Sequence, residues 1–520
     1  MCGVSTQASS SFYLVISLWV STMAASRSDY RWYRVLEIIP GALVWLAFAL
    51  AIGLSFFQPI WVIGFIIVFD ALWLIRISYL VVYLMVSYRR YRRDSAKDWF
   101  ALAKAQSGFS DIVHLIFLPT YKEPEAVIAQ TLEGLTHVQY PAEKIFVVLC
   151  GEEKDEVHFR GIAEKMQAQY GQKFFRFLVT VHPANVPGEV TGKGSNTAYA
   201  GRLAKEEIDA LHIPYKHIVV SSLDVDTVVH PQYFACLTYH YLTVPNPTRA
   251  SYQPLAVYNN NVWESPFLMR VVAMSTTFWL MTEQIRPERL FTFSSHSMPF
   301  QALVDVGFWQ SDIVTEDSRI FVQGLIEYDG DYRVVPLFIP LSMDTVMSGT
   351  LMQSLANQYK QQRRWAYGIE NFPFMVWNFW GNRSIPFLKK FRYLFNQLEG
   401  SFSWCTAPIL IFILGRLPIA VANAQGLPSA LTQNTPYILS VMMTASMVGL
   451  VASAVLSMTL VPKRPAHVAR WHWLVMFLQW IIFPVTMVAF GSIPATEAIT
   501  RLMLGKYLGF NVTEKFRVKK

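Results

Sequence analysis

Charge and cysteine are both scarce in this chain, and each scarcity excludes a class of protein. Only 15% of the residues are charged while 53% are hydrophobic, against about 25% charged in an average soluble domain. A wholly water-soluble chain is therefore excluded, and part of it belongs in lipid. The four cysteines in 520 residues, Cys2, Cys150, Cys236 and Cys405, form no CxxC pair. Neither a disulfide framework nor a structural zinc site is supported, and a reducing compartment suits the soluble part. A basic stripe interleaved with exposed aromatics is also missing, so the net charge of +8 does not point to nucleic acid.

The charge that is present sits where membrane orientation places it. Arg89, Arg90, Arg92 and Arg93, and later Lys463, Arg464 and Arg470, cluster at the ends of apolar runs, as the positive-inside rule expects. Residues 38–57 and 61–88 are two such runs, each long enough for a crossing of about 20 residues; the second is long enough to protrude. Residues 402–421, 436–461 and 471–490 are three more. Three crossings after a cytoplasmic domain put the C-terminus outside, whereas Arg501, Lys506, Lys515, Arg517, Lys519 and Lys520 favour the inside. A break at Pro484 into a re-entrant or interfacial element resolves that conflict. Asp70 and Arg76, inside the second run, face a bundle interior or an aqueous path. The shorter apolar stretch 11–25 suits neither a signal peptide nor a span, and translation is expected to start at Met23. The domain division that follows is an N-terminal membrane segment with two main helices (1–94), a cytoplasmic domain with interfacial helices (95–385), and a C-terminal transmembrane region with a basic tail (386–520).

The middle block has soluble character. Residues 112–118, 145–149, 174–181 and 217–223 read as buried strands, with helical stretches such as 125–137 and 156–170 between them. That alternation predicts a mainly parallel sheet with helices on both faces, and ligands then bind beyond the carboxyl ends of the strands.

Polar motifs stand at those ends. After the first strand comes Pro119-Thr120-Tyr121-Lys122-Glu123-Pro124, and after the second Gly151-Glu152-Glu153; alone, each is a solvated turn. After the third, Gly192-Lys193-Gly194-Ser195-Asn196 opens a helix whose backbone N–H groups and lysine suit an anion. After the fourth, Leu223-Asp224-Val225-Asp226 places two carboxylates on one side of an extended backbone, where a divalent ion with substrate phosphates offsets their repulsion. Downstream, Thr315-Glu316-Asp317 reads equally well as a helix N-cap with an acidic first turn. In the helical stretch 350–370, Gln361, Arg364 and Trp365 share one face. They suit a pyrophosphate and a sugar, or an amphipathic helix at a membrane surface.

The ordered set resembles the membrane-bound, cellulose-synthase-like branch of family 2 glycosyltransferases, which includes hyaluronan and chitin synthases. The resemblance covers about residues 119 to 365 and the membrane flanks. It implies an α/β GT-A-type nucleotide-sugar-binding domain flanked by transmembrane helices. It also implies an inverting hexosyltransferase that uses Mg²⁺ or Mn²⁺ and a nucleotide-sugar, a UDP-sugar by preference, with a polysaccharide or lipid-linked acceptor. Thr120, Tyr121 and Glu123 would then surround the base and ribose, with Glu152 standing where Asp-Asp-Gly is usual. Lys193 and Asp224 would contact the donor, and Asp226 together with Asp224 would hold the metal. Asp317 would be the general base with Glu316 beside it in the catalytic motif, and Gln361, Arg364 and Trp365 would hold the diphosphate and acceptor end. Lys122 departs from the usual Asn. A cell-membrane, multi-pass location with the catalytic domain cytoplasmic and in contact with lipid follows. Two other readings are a single-addition enzyme acting on a lipid-linked acceptor and a transporter with a regulatory cytoplasmic domain. The transporter explains Asp70, Arg76 and Arg416 but not the acidic motifs.

Overall fold

In the computed structural model, which describes residues 27–427 and 429–509, the middle of the chain forms one eight-stranded sheet of order β3-β2-β1-β4-β7-β6-β8-β5. The strands are β1 (Val113–Pro119), β2 (Ile145–Glu152), β3 (Arg176–His182), β4 (Ile218–Ser222), β5 (Val228–Val229), β6 (Ala250–Tyr258), β7 (His296–Pro299) and β8 (Arg333–Met343). The four strands read from the sequence are parallel neighbours. β1, β2 and β4 are buried and largely apolar because both faces of the sheet are covered there, whereas β3, at the edge, begins exposed at Arg176. Ile116 and Leu118 pack on one side with the helices Glu125–Thr136 and Glu156–Tyr170. Leu115 and Phe117 pack on the other with Lys193–Ala210 and Glu316–Glu327, as the two-residue period of a strand requires.

The sheet is mainly parallel as expected, but four strands escape the sequence reading and add antiparallel pairs: β7 runs antiparallel to β4 and β6, and β5 to β8, while β6 and β8 are parallel. Prolines conceal them. β6 carries Pro254, where the register to β8 shifts, and β8 carries Pro336 and Pro340; proline in a strand pattern argues against a strand. The other two are only four and two residues long.

Apolar helices flank the sheet domain. Tyr30–Phe57, Pro59–Asp94, Ala430–Leu460 and His472–Met503 are each long and apolar enough to cross a membrane, and Phe387–Phe412 with Leu414–Ala424 forms a fifth candidate bent by 47°. Pro59–Asp94, at 1.5 Å per residue roughly 54 Å long, outreaches a hydrocarbon core of about 30 Å and ends in the arginine cluster. The expected break at Pro484 is partial. The helical run continues to Met503 through a 3-10 turn at Gln479–Ile482 and a π-helical turn at Met487–Ser492. The stretch 11–25, Met23 and the last four basic residues lie outside the described residues. Cys150, Cys236 and Cys405 are buried free thiols.

Candidate active site

One cavity of about 1710 Å³ opens along the carboxyl ends of the parallel strands and continues between the apolar helices. It is lined by Thr120, Tyr121 and Glu123 after β1, by Glu152 at the end of β2, and by Lys193, Asp224, Asp226, Asp317, Gln361, Arg364 and Trp365. The motifs are therefore gathered by topology: those up to Asp317 follow a strand end or open a helix, and Gln361, Arg364 and Trp365 come from the last turns of the helix Leu351–Ala366. Glu316 is the exception. It is 1% exposed and turned under the start of the helix Lys193–Ala210, where a Cβ on Gly194 would lie 3.1 Å from its own Cβ and 3.0 Å from the Gln310 carbonyl. Adjacent residues on a helix point about 100° apart, so Asp317 and Glu316 cannot both face the cleft. Both Glu316 oxygens lack a hydrogen-bond partner. Burial first, then the Asp317 charge, holds this carboxyl above the usual glutamate range.

Lys193 is the electrostatic centre. Its Nζ donates to Asp224 at 2.8 Å, to the two oxygens of Asp317 at 2.9 and 3.0 Å, and to Ser294 Oγ at 3.3 Å. Burial opposes its charge, but Asp224, Asp317 and Glu316 outweigh that and raise its pKa. The pKa of the Tyr258 hydroxyl is also raised, by burial and then by Asp224, Asp226 and Asp317, with Arg364 opposing; charged groups from three separate segments thus act on one point. The Asp-x-Asp segment lies in a turn beyond β4 rather than in extended backbone. Thr227 N–H donates to the Asp224 carbonyl at 2.8 Å, Val225 points into the core, and the two aspartates still reach the cavity on either side of it.

Among the described residues no three or more His, Cys, Asp or Glu side chains are grouped to hold a metal ion. The donor set at Asp224 and Asp226 nevertheless fits Mg²⁺ or Mn²⁺, which take one or two carboxylates and complete their shell with substrate phosphates and water. Asp226 is itself anchored, accepting from the Asp344 backbone N–H at 3.1 Å.

Two networks fix the catalytic-side elements relative to each other. Thr315 is at the N-cap position of Glu316–Glu327 but makes no side-chain cap bond; its hydroxyl donates instead to Glu370. Arg319, buried against the Phe374 ring at 3.9 Å, donates to Asn371 Oδ1 at 2.6 Å, Gln310 at 2.8 Å and the Glu370 carbonyl at 3.2 Å. The helix bearing Asp317 is thereby tied to the turn after Leu351–Ala366. That second helix presents Gln361, Arg364 and Trp365 to the cavity, while Tyr359 and Arg363 bond Glu497 at 2.7 Å each. Trp365 packs near Tyr258, ring centres 6.0 Å apart. In the membrane part, Arg76 pairs with Glu399, sits 4.7 Å over the Trp73 ring and lines the same cavity with Asp70 and Arg416.

Lys122 adopts φ 65°, a left-handed conformation that Asn tolerates and Lys does not favour. Sequence reasoning missed Tyr258, Ser294, Asp344 and His296, whose Nδ1 lies 3.7 Å from Asp317. The only available signal was the polar run Ser294-Ser295-His296-Ser297 between apolar segments.

Residues 219–496 match the family described as "Glycosyl transferase family group 2", and residues 114–246 match "Glycosyltransferase like family 2". A curated relative, the cellulose synthase 1 catalytic subunit (UDP-forming) of Komagataeibacter xylinus, is 24% identical over 259 residues, which is 49% of this chain and 30% of that protein. The chain thus spans less than a third of that relative's length. Among solved structures, the mannosyltransferase PcManGT of Pyrobaculum calidifontis in complex with GDP-Man and Mn²⁺ aligns with a TM-score of 0.41 at 16% identity, over 75% of this chain and 98% of that one. TarS 1–349 of S. aureus in complex with UDP-GlcNAc aligns with a TM-score of 0.34 at 13% identity, over 66% and 90%.

Proposed function

The chain belongs to glycosyl transferase family group 2, and on that premise we propose that it is an inverting, metal-dependent enzyme moving a sugar from a UDP-sugar onto a growing polysaccharide. The observation that carries this reading is the convergence of Asp224, Asp226, Asp317, Lys193 and Arg364, from four separate segments, on one cavity. Asp317 serves as general base: one of its oxygens takes the proton of the acceptor hydroxyl as that oxygen bonds to the anomeric carbon and the bond to the diphosphate breaks. Direct displacement needs one base and no protein nucleophile, so it inverts the anomeric centre. Lys193 and Arg364 stabilise the charge that develops on the departing diphosphate. Asp224 and Asp226 would hold Mg²⁺ or Mn²⁺, which supplies Lewis-acid stabilisation of that leaving group. Thr120, Tyr121, Glu123 and Glu152 enclose the nucleoside, and Gln361 and Trp365 the acceptor end.

A volume of about 1710 Å³ exceeds the ~300–1,000 Å³ of an ordinary ligand pocket, and its continuation past Trp73, Arg76 and Trp404 supports repeated addition along a path between the helices. The apolar walls of that path favour, as a second reading, single addition to a lipid-linked acceptor. The arginine cluster at the foot of Pro59–Asp94 supports a cytoplasmic catalytic domain, with the divisions at 94/95 and 385/386, in a multi-pass protein of the cell membrane. Turnover of a panel of nucleotide-sugars in nanodiscs, with Mg²⁺ and Mn²⁺, tests the proposal. Long labelled product marks a polymerase, a one-sugar adduct marks the second reading, and no transfer from any donor refutes both.

A further inference from the structure

The helices Pro59–Asp94 and Ala430–Leu460 run parallel. Gly449 abuts Ile77, where an added Cβ would lie 2.9 Å away, and further along Leu456 and Leu460 share an apolar cluster with Leu84, Tyr88 and Tyr91. Both helices thus end on one side, where Arg90 lies 5.2 Å over the Phe338 ring of β8. Both ends are basic. On the first, Val82, Met85, Arg89 and Arg92 recur at intervals of three and four and share one face; all four are exposed. After the second comes the loop 461–471, with Lys463 and Arg470 exposed and Arg464 half-buried. That loop is seated on the segment after β6. Asn259 donates to the Leu460 carbonyl at 2.8 Å, Trp263 Nε1 to the Pro462 carbonyl at 3.1 Å, and Trp473 packs edge-on against Trp263 at 5.0 Å. Val468 is buried in the same cluster as Leu84, so the two basic ends adjoin.

Carboxylates are scarce at this place. No aspartate or glutamate occurs between Glu399 and Glu497. Asp94 is taken by Arg93 and Lys97, and Glu264, beside Trp263, points to solvent. Among the described residues Arg89, Arg92, Lys463, Arg464 and Arg470 make no ion pair. Exposed apolar surface runs directly into them: Val82 is 57% exposed one turn or two before the arginines, and Trp471 and Leu474 are 61% and 60% exposed after the loop.

We propose that this paired basic edge binds the phosphate-bearing headgroup of an anionic lipid in the leaflet nearest the sheet domain, with the acyl chains on the exposed faces of the two helices. This rests on the reading that these helices cross a membrane. Each cation just beyond a membrane helix favours anionic lipid by about fivefold in affinity. The adjoining apolar surface distinguishes a lipid from a free phosphate, which gains nothing from Val82, Met85 or Leu474, and Trp471 suits the headgroup level.

The test is fluorescence anisotropy of the purified full chain in neutral detergent, with phosphatidylglycerol and phosphatidylcholine labelled alike in one acyl chain. One cation from each helix end at the headgroup makes phosphatidylglycerol the tighter ligand by roughly 25-fold. Arg89→Gln with Arg92→Gln, and separately Lys463→Gln with Arg464→Gln and Arg470→Gln, each lower that ratio to about fivefold or less. Arg160→Gln with Lys165→Gln, on the exposed helix Glu156–Tyr170, removes as much charge as the first variant and keeps the parental ratio. Equal binding of the two lipids by the parent overturns the inference, as does a parental ratio in either basic-edge variant or the same loss in the control. Displacement of labelled phosphatidylglycerol by an equal concentration of inorganic phosphate assigns the edge to free phosphate and overturns the lipid. A chain that stays monomeric in water without detergent removes the membrane reading beneath it, so the two failures are distinct.

Discussion

Replacing Asp317 by Asn removes one carboxylate charge and keeps the side-chain shape. In the parent, both Asp317 oxygens accept from Lys193, at 2.9 and 3.0 Å, and Lys193 has a second carboxylate, Asp224, at 2.8 Å. The variant amide oxygen still accepts one of these bonds and Asp224 keeps the ammonium paired. The fold therefore loses only about 1.5–3 kcal/mol, the range of one hydrogen bond to a charged group. The chemical step loses its proton acceptor, which is typically worth roughly 10²–10⁴-fold, or about 3–5 kcal/mol of transition-state stabilisation. The expected result is a kcat lower by that factor with the donor affinity retained, because an interaction made only in the transition state lowers kcat and kcat/KM together. Single-turnover transfer from a labelled donor measures the first quantity, and calorimetric titration of UDP the second. A kcat within about tenfold of the parent's would refute Asp317 as the base. An equal loss of donor binding would show instead that the substitution releases Lys193 from the site.

Three further outcomes are expected. Chelation abolishes turnover and either Mg²⁺ or Mn²⁺ restores it, whereas Asp226→Asn does not respond to added metal; full activity in chelator would sink the metal assignment. The Glu316 carboxyl is raised in the folded state by burial and by Asp317, so the native state holds a proton that the unfolded chain releases earlier. Stability therefore falls as pH rises from the ordinary glutamate range towards that raised value. Glu316→Gln removes this slope, as melting temperature against pH will record; an unchanged slope excludes Glu316 as its source. Arg319→Met leaves Glu370 buried without its compensating cation and Asn371 and Gln310 without their donor, a loss of about 3–5 kcal/mol visible in thermal unfolding. Stability within about 1 kcal/mol of the parent would mean that these groups find other partners.

Four strands and the six motifs were legible in the sequence because each fact is local. β1, β2 and β4 are largely apolar, the first motifs are polar interruptions where strands stop, and the last two read as a helix start and a helix face. The family's order of motifs added what the spacing alone could not, a common ligand for residues 245 positions apart between Thr120 and Trp365. The second half of the sheet was not legible. Its prolines and short strands weaken the very pattern that identifies strands, and only hydrogen bonding to β4 and β8 makes β7 and β5 strands at all.

By itself the sequence determined which segments are apolar enough for lipid, where the parallel strands run, and which polar residues stand at their ends. Tertiary structure alone decided that Asp317 faces the cleft while Glu316 turns under Gly194, and that Lys193 joins Asp317 to Asp224. It also decided that His182 is held by two glutamates, and that Arg76 meets Glu399 across 323 residues. The physical reason is range. Periodicity and propensity act over a few residues, whereas a buried charge is set by whichever partners the packing of distant elements brings within about 3 Å.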